Sequence, residues 1–210
     1  MTRGAASLGL FAKTGRAIGI VLGGPLDEPC ILHRREIVLS PEGIPATVQP
    51  YHSVMDLPWS TAVAAVRPAI RAIEALAEES LHSLIREVSA TGANVLSAGV
   101  VGSIGKDPGR IGNPHIRAHA AEGQLFREVL ETAASRCGLA VVSFSPQEVL
   151  KATCALLGLS ASSFQSRLQS LGKGVGRPWR TEERAATAAA WAALASGLHK
   201  RQPLRPDRHR

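Results

Sequence analysis

Several common designs are excluded by what this chain lacks. It has only three cysteines in 210 residues, Cys30, Cys137 and Cys154. They form no Cys-x-x-Cys pair, and their odd number and wide spacing point to neither a cysteine zinc site nor a disulfide framework. No apolar run reaches the ~18 residues that a membrane helix needs. The first residues, Met1 to Ala6, hold no separate apolar segment followed by a cleavage site, so no signal peptide is expected. There is no Gly-x-Ser-x-Gly and no local Cys–His signature, which leaves hydrolases of those kinds without support. The glycine-rich stretch "GKGVGRPW", 172–179, lacks the Gly-Lys-Ser/Thr ending of a phosphate-cradling loop. Together these absences predict a cytoplasmic protein with no membrane partner.

The length suffices for one domain with a sizeable core. Hydrophobic residues are 45% and charged residues 20% of the chain, which fits an ordinary globular protein. The net charge of +7 is unevenly placed. Residues 199–210 contain Lys200, Arg201, Arg205, Arg208 and Arg210 against the single acid Asp207. This end reads either as a solvated, disordered tail or as an electrostatic arm for nucleic acid or another acidic surface. The body before it is only mildly basic.

Hydrophobic patterning divides the body into elements. Strands are expected at 6–13, 16–23 and 30–39, separated by the turn signals Thr14-Gly15 and Gly23-Gly24-Pro25. Residues 40–58, with Pro41, Pro45, Pro50 and Pro58, read as an extended excursion over the surface. A helical pattern runs from Trp59 to Ala90, and Val63, Val66, Ile70, Ile73, Leu81, Leu84 and Val88 mark its buried stripe. Pro68 must kink or restart it.

"ANVLSAGVVG", 93–102, reads as a central strand buried on both faces. A loop at 103–114 precedes a helix at 115–137, and 139–144 reads as another buried strand. Ser145-Pro146-Gln147-Glu148 has the form of a capping box opening a helix to Leu157. Ser160 caps a further helix ending at Gly172, a flexible link follows, and the last helix covers 181–198. Its "AATAAAWAALA" suits close packing on a sheet. The order predicts an α/β fold: a mixed five-stranded sheet, three antiparallel strands then two parallel ones, flanked by helices. The expected domain is 1–198, followed by the basic tail 199–210.

This order is that of the ribonuclease H-like fold. "LGLFAKTGRAIGIVL", 8–22, resembles the opening hairpin of the RuvC family of Holliday-junction resolvases. "GQLFREVLETAASRCGLAVVSFSPQEVLKAT", 123–153, is similar to that family's central helix, fifth strand and next helix. "EERAATAAAWAALA", 182–195, is similar to its final helix. The resemblance implies two Mg²⁺ or Mn²⁺ ions held by carboxylates that cut nucleic acid, because hard cations take oxygen ligands and activate water. It places the first acid where this chain has Phe11 and the second near the end of "NVLSAGVVGS", which has none. The final pair falls on Glu183 with Ala186, or on Arg184 with Thr187. At best the remnant Glu183 survives. A lone carboxylate cannot hold two cations, so the usual nuclease activity and its metal cofactor are expected to be missing.

Other groups carry chemistry of their own. His115, His119 and Glu122 stand at i, i+4 and i+7 and share a helical face. They read as transition-metal ligands, as a phosphate-binding surface with Lys106, Arg110 and Arg117, or as a polar exposed face with local hydrogen bonds. Lys173, Arg177 and Arg180 are candidates for contact with a phosphate backbone, together with Lys200 and Arg201 in the tail. Trp179 reads as a base-stacking platform or a packing anchor. Tyr51, His52, Asp56 and Trp59 form a polar and aromatic group on the excursion, either a binding site or loop packing.

The leading expectation is a catalytically degenerate RuvC-like protein that binds DNA, RNA or a protein partner. The alternatives are an enzyme with a relocated site near His115, His119 and Glu122, and a structural subunit or homodimer. Fold alone decides none of these.

Overall fold

The computed structural model describes residues 4–105 and 107–199, without the side chains of 198 and 199. Three strands open the chain: β1 (Gly4–Lys13), β2 (Arg16–Gly23) and β3 (Cys30–Val38). Gly15 makes the β1–β2 turn at φ +70°, a conformation that L side chains rarely adopt. The excursion follows, then α1 (Trp59–Ala65) and α2 (Arg67–Ala90). Pro68 lies in the first turn of α2, where its missing N–H costs nothing, so the long helical pattern restarts there. Then come β4 (Ala93–Val101), α3 (Pro114–Arg136) and β5 (Ala140–Phe144). The last described elements are α4 (Val149–Leu156), α5 (Ala161–Val175) and α6 (Thr181–His199).

The sheet order is β3-β2-β1-β4-β5. β1 pairs antiparallel with β2 and parallel with β4, and β4 pairs parallel with β5. The expected mixed α/β sheet is therefore the observed one. One face carries α2 and α3 over a core that includes Leu8, Leu10, Val100, Leu81 and Phe126. The other carries α4, α5 and α6 around Val101, Phe164, Trp191 and Leu194. No helix among the described residues is long and apolar enough to cross a membrane.

α6 approaches the sheet more closely than ordinary side chains allow. In the β1–β4 register, Ser7 pairs with Ser97 and Gly9 with Gly99. A Cβ on Gly9 would collide with the carbonyl oxygen of Ala186, and one on Gly99 with that of Ala189. The buried hydroxyls of Ser7 and Ser97 donate to the carbonyls of Ala190 and Ala193 at 2.6 and 3.0 Å. The small residues of α6 are thus one half of a matched surface whose other half is a row of glycine and serine. The phase of β4 depends on a register shift, because Ala6 pairs with Val95 but Ser7 with Ser97. The extra residue, Leu96, turns Ser97, Gly99 and Val101 toward α6.

Six local expectations need correction. β5 is an edge strand and is half-exposed rather than buried. The Ser145–Glu148 capping box does not form: Ser145 Oγ donates to the Glu148 carboxylate at 2.6 Å, and α4 begins only at Val149. α5 continues past Gly172 to Val175. The link after it is clasped rather than loose, since the Arg34 guanidinium donates to the carbonyls of Gly176, Pro178 and Arg177 at 3.0, 2.8 and 3.2 Å. The excursion is not extended. It folds into 3-10 turns at Pro45–Thr47 and His52–Val54, and Thr47 is fully buried. The last helix also takes in His199, the first residue of the expected tail, while 200–210 lie outside the described residues.

Candidate functional site

The C-terminal ends of β1 and β4, where ligands gather in open α/β sheets, are also where α6 begins. α6 runs antiparallel to β1, with Glu182 at Lys13, Ala186 at Gly9 and Ala190 at Ser7. On the α6 side of this end the registered pair is Phe11 and Val101, both packed into the apolar layer. The acids of α6 are engaged elsewhere. Glu183 is 5% exposed, and its Oε2 accepts from the backbone N–H of Arg180 at 2.8 Å, which closes the first turn of the helix. Glu182 accepts from Lys13 Nζ at 2.8 Å. That hydrogen bond, first among the causes, holds the Glu182 carboxyl below its ordinary value.

On the opposite face, the excursion meets the start of α3. Asn113 caps α3 by accepting from the Ile116 N–H at 3.0 Å, and Pro114 occupies its first turn. His115 and His119 follow, one turn apart and exposed. Glu122 is not on an exposed face, as its spacing allowed, but is 2% exposed. Its two oxygens hold His52 of the excursion: Oε1 accepts from the His52 backbone N–H at 3.1 Å, and Oε2 lies 2.9 Å from His52 Nδ1.

The three imidazoles stand edge to face. Ring centroids are 5.2 Å apart for His52–His115, 4.3 Å for His52–His119 and 4.5 Å for His115–His119. One nitrogen from each lies within 4.8 Å of one from each of the others. His52 Nε2 is buried and has no hydrogen-bond partner among the described residues. The donor set is thus three imidazoles backed by a carboxylate, a chemistry suited to zinc-class ions rather than magnesium.

His52 is the residue that sequence reasoning failed to join to this group. In the sequence it stands beside Tyr51, Asp56 and Trp59, and no local pattern links it to α3. Of that group, Tyr51 stacks on Trp59 at 5.4 Å, the Arg117 guanidinium lies 5.5 Å over the Trp59 ring, and Asp56 is exposed. Burial, together with Glu128 and Glu122, pushes the Tyr51 hydroxyl above its ordinary range.

The expected phosphate contacts fall on two faces of the molecule. Arg110, with a side chain 87% exposed, precedes α3 and lies near Asp107. Lys173, Arg177 and Arg180 are exposed on the other layer, at the end of α5 and in the clasped link. Trp179 packs on Gly172 of α5, where a Cβ would meet its indole ring. Lys106, Lys200 and Arg201 lie outside the described residues.

No family model matches the chain, and none of the curated proteins does. Solved structures match it almost end to end. Thermus thermophilus RuvC is 16% identical with a TM-score of 0.52, over 95% of this chain and 99% of that one. The same organism's RuvC in complex with a Holliday junction substrate is 15% identical with a TM-score of 0.50, over 93% and 96%. The yeast mitochondrial Holliday junction resolvase Ydc2 is 12% identical over 95% of this chain and 82% of its own, with a TM-score of 0.46. The fold of this chain is the ribonuclease H-like fold in its RuvC form.

Proposed function

We propose that this chain binds nucleic acid through the RuvC-type fold and does not cut it. The observation that carries the proposal is the pairing of Phe11 with Val101 where the sheet meets α6. The resemblance to RuvC puts metal-binding carboxylates at this end, and two-metal cleavage needs several of them around one point. Here the strands supply apolar groups, while Glu183 and Glu182 are occupied by the Arg180 N–H and by Lys13. Among the described residues, Mg²⁺ or Mn²⁺ has no cluster of oxygen donors to enter at this place. A nucleic-acid partner is supported by exposed Arg110, Lys173, Arg177 and Arg180 and by the cationic sequence at 200–210. It is supported too by the fold shared with a RuvC that is seen with a junction substrate.

The test is direct. Purified protein is incubated with Mg²⁺ or Mn²⁺ and with branched, duplex, hybrid and single-stranded substrates. Binding without cleavage is expected. Turnover that disappears in a Glu183→Gln variant would show a working metal site and end this reading.

A further inference from the structure

We infer that His52, His115 and His119 form a binding site for a divalent transition-metal ion of the zinc class, with Glu122 as the positioning residue behind His52. Two histidines one turn apart on a helix present their nitrogens on one side, a spacing that suits a single ion. α3 supplies this pair in His115 and His119. The third imidazole arrives from the 3-10 turn His52–Val54. The ligand nitrogens already lie within 4.8 Å of one another, so small side-chain rotations draw them to the ~2.1 Å that zinc–imidazole bonds require.

Glu122 makes the case stronger than proximity alone. A metal-bound histidine commonly donates its other ring N–H to a carboxylate, which fixes the tautomer and aims the free lone pair. His52 has this arrangement, with Nδ1 at 2.9 Å from Glu122 Oε2 and Nε2 left buried and unpartnered among the described residues. The Glu122 Oε1 bond to the His52 backbone N–H fixes the turn as well as the ring. A buried acceptor nitrogen without a partner is costly in a folded protein, and a cation at this point would satisfy it. The anionic carboxylate, 2% exposed, also offsets part of the charge the ion brings.

Three protein ligands leave a tetrahedral ion one open position. His115 and His119 are exposed, so this position faces solvent. It would take water or another oxygen donor, such as a phosphate. The ion would also tie the excursion to α3, through contacts lying on the opposite face of the sheet from the Phe11–Val101 pair.

Full-length protein, stripped of metal by chelation, is titrated with Zn²⁺ by calorimetry and with Co²⁺ by visible absorption. One ion per chain is expected, with the intense absorption of a tetrahedral cobalt site and a raised melting temperature, because a ligand held only by the folded state stabilises it. His115→Ala and His119→Ala each abolish the tetrahedral spectrum. Glu122→Gln weakens affinity by ~10–100-fold while the three ligands remain. His33→Ala and His82→Ala bind as the parent chain does. His52→Ala is checked by circular dichroism, and the two exposed histidines keep the test decisive if that variant unfolds. Absence of binding to the parent chain overturns the site, as does stoichiometric binding that survives a combined His115→Ala, His119→Ala change.

Discussion

Gly9 and Gly99 face each other in register across β1 and β4, and each lies under a carbonyl of α6. A methyl group at either position has to displace helix backbone, which cannot rotate away as a side chain can. Gly9→Ala should therefore cost about 3 kcal/mol, the upper part of the usual range for overpacking. Gly112→Ala, where nothing lies within 4 Å of the added carbon, should change stability by no more than ~0.5 kcal/mol. Chemical denaturation of the two variants checks the contrast. Lys13 and Glu182 make a second local prediction. The Glu182 carboxyl titrates below its ordinary value near 4.5 because Lys13 hydrogen-bonds it. A depressed carboxyl adds stability above its unfolded value and loses it as pH falls through the folded one. Lys13→Met should thus be less stable than the parent at neutral pH, by up to ~1 kcal/mol for a half-exposed pair. The gap should close as pH falls from about 4.5 through the lower folded value. Unfolding curves between pH 7 and pH 3 measure it.

Among the elements, the link between α5 and α6 departs most from its composition. Glycines at 172, 174 and 176 suggested a loose tether. Gly172 instead belongs to α5 and leaves room for the Trp179 ring, and Arg34 on β3 binds three successive carbonyls of the link. Composition reports which conformations a segment is permitted, whereas hydrogen bonds from a distant strand select one of them. Arg34→Ala should release the link. Limited trypsin digestion should then cut after Lys173 and Arg180 faster in the variant, with circular dichroism unchanged. Equal cutting rates would mean that packing of Trp179 alone holds the segment. The failed capping box before α4 follows the same logic. Ser145 and Glu148 have the right spacing, but the hydroxyl finds the carboxylate before it finds the helix N–H groups.

At the level of the whole molecule, the charge is divided between body and end. Five of the cations lie at 200–210, and the exposed body cations named as phosphate contacts are split between two layers, Arg110 just before α3 and Lys173, Arg177 and Arg180 on the α5–α6 layer. If the end engages duplex DNA, it neutralises ~3–5 phosphates, each worth about −0.9 in the slope of log affinity against log salt. Removing 200–210 should flatten that slope by roughly 3–4 units and leave weaker, measurable binding. Titrations of both chains at several salt concentrations test this. Loss of all binding would assign the interaction to the end alone, and no binding by either chain at low salt would exclude nucleic acid as the partner.

Much of the architecture is legible in the amino-acid sequence. The strand and helix order, the restart at Pro68, the burial of β4 and the small-residue face of α6 follow from periodicity and backbone chemistry, which act between near neighbours. What the tertiary structure decided involves residues far apart in the chain. The shift at Leu96 sets which face Ser97, Gly99 and Val101 present, and no local pattern records a register against another strand. His115 and His119 were visible as a pair because a helix repeats every 3.6 residues. His52 joins them only because the excursion folds back on α3 and Glu122, 70 residues further along the chain, holds its ring and its backbone. A triad of this kind is a product of chain closure, so its chemistry cannot be read from spacing alone.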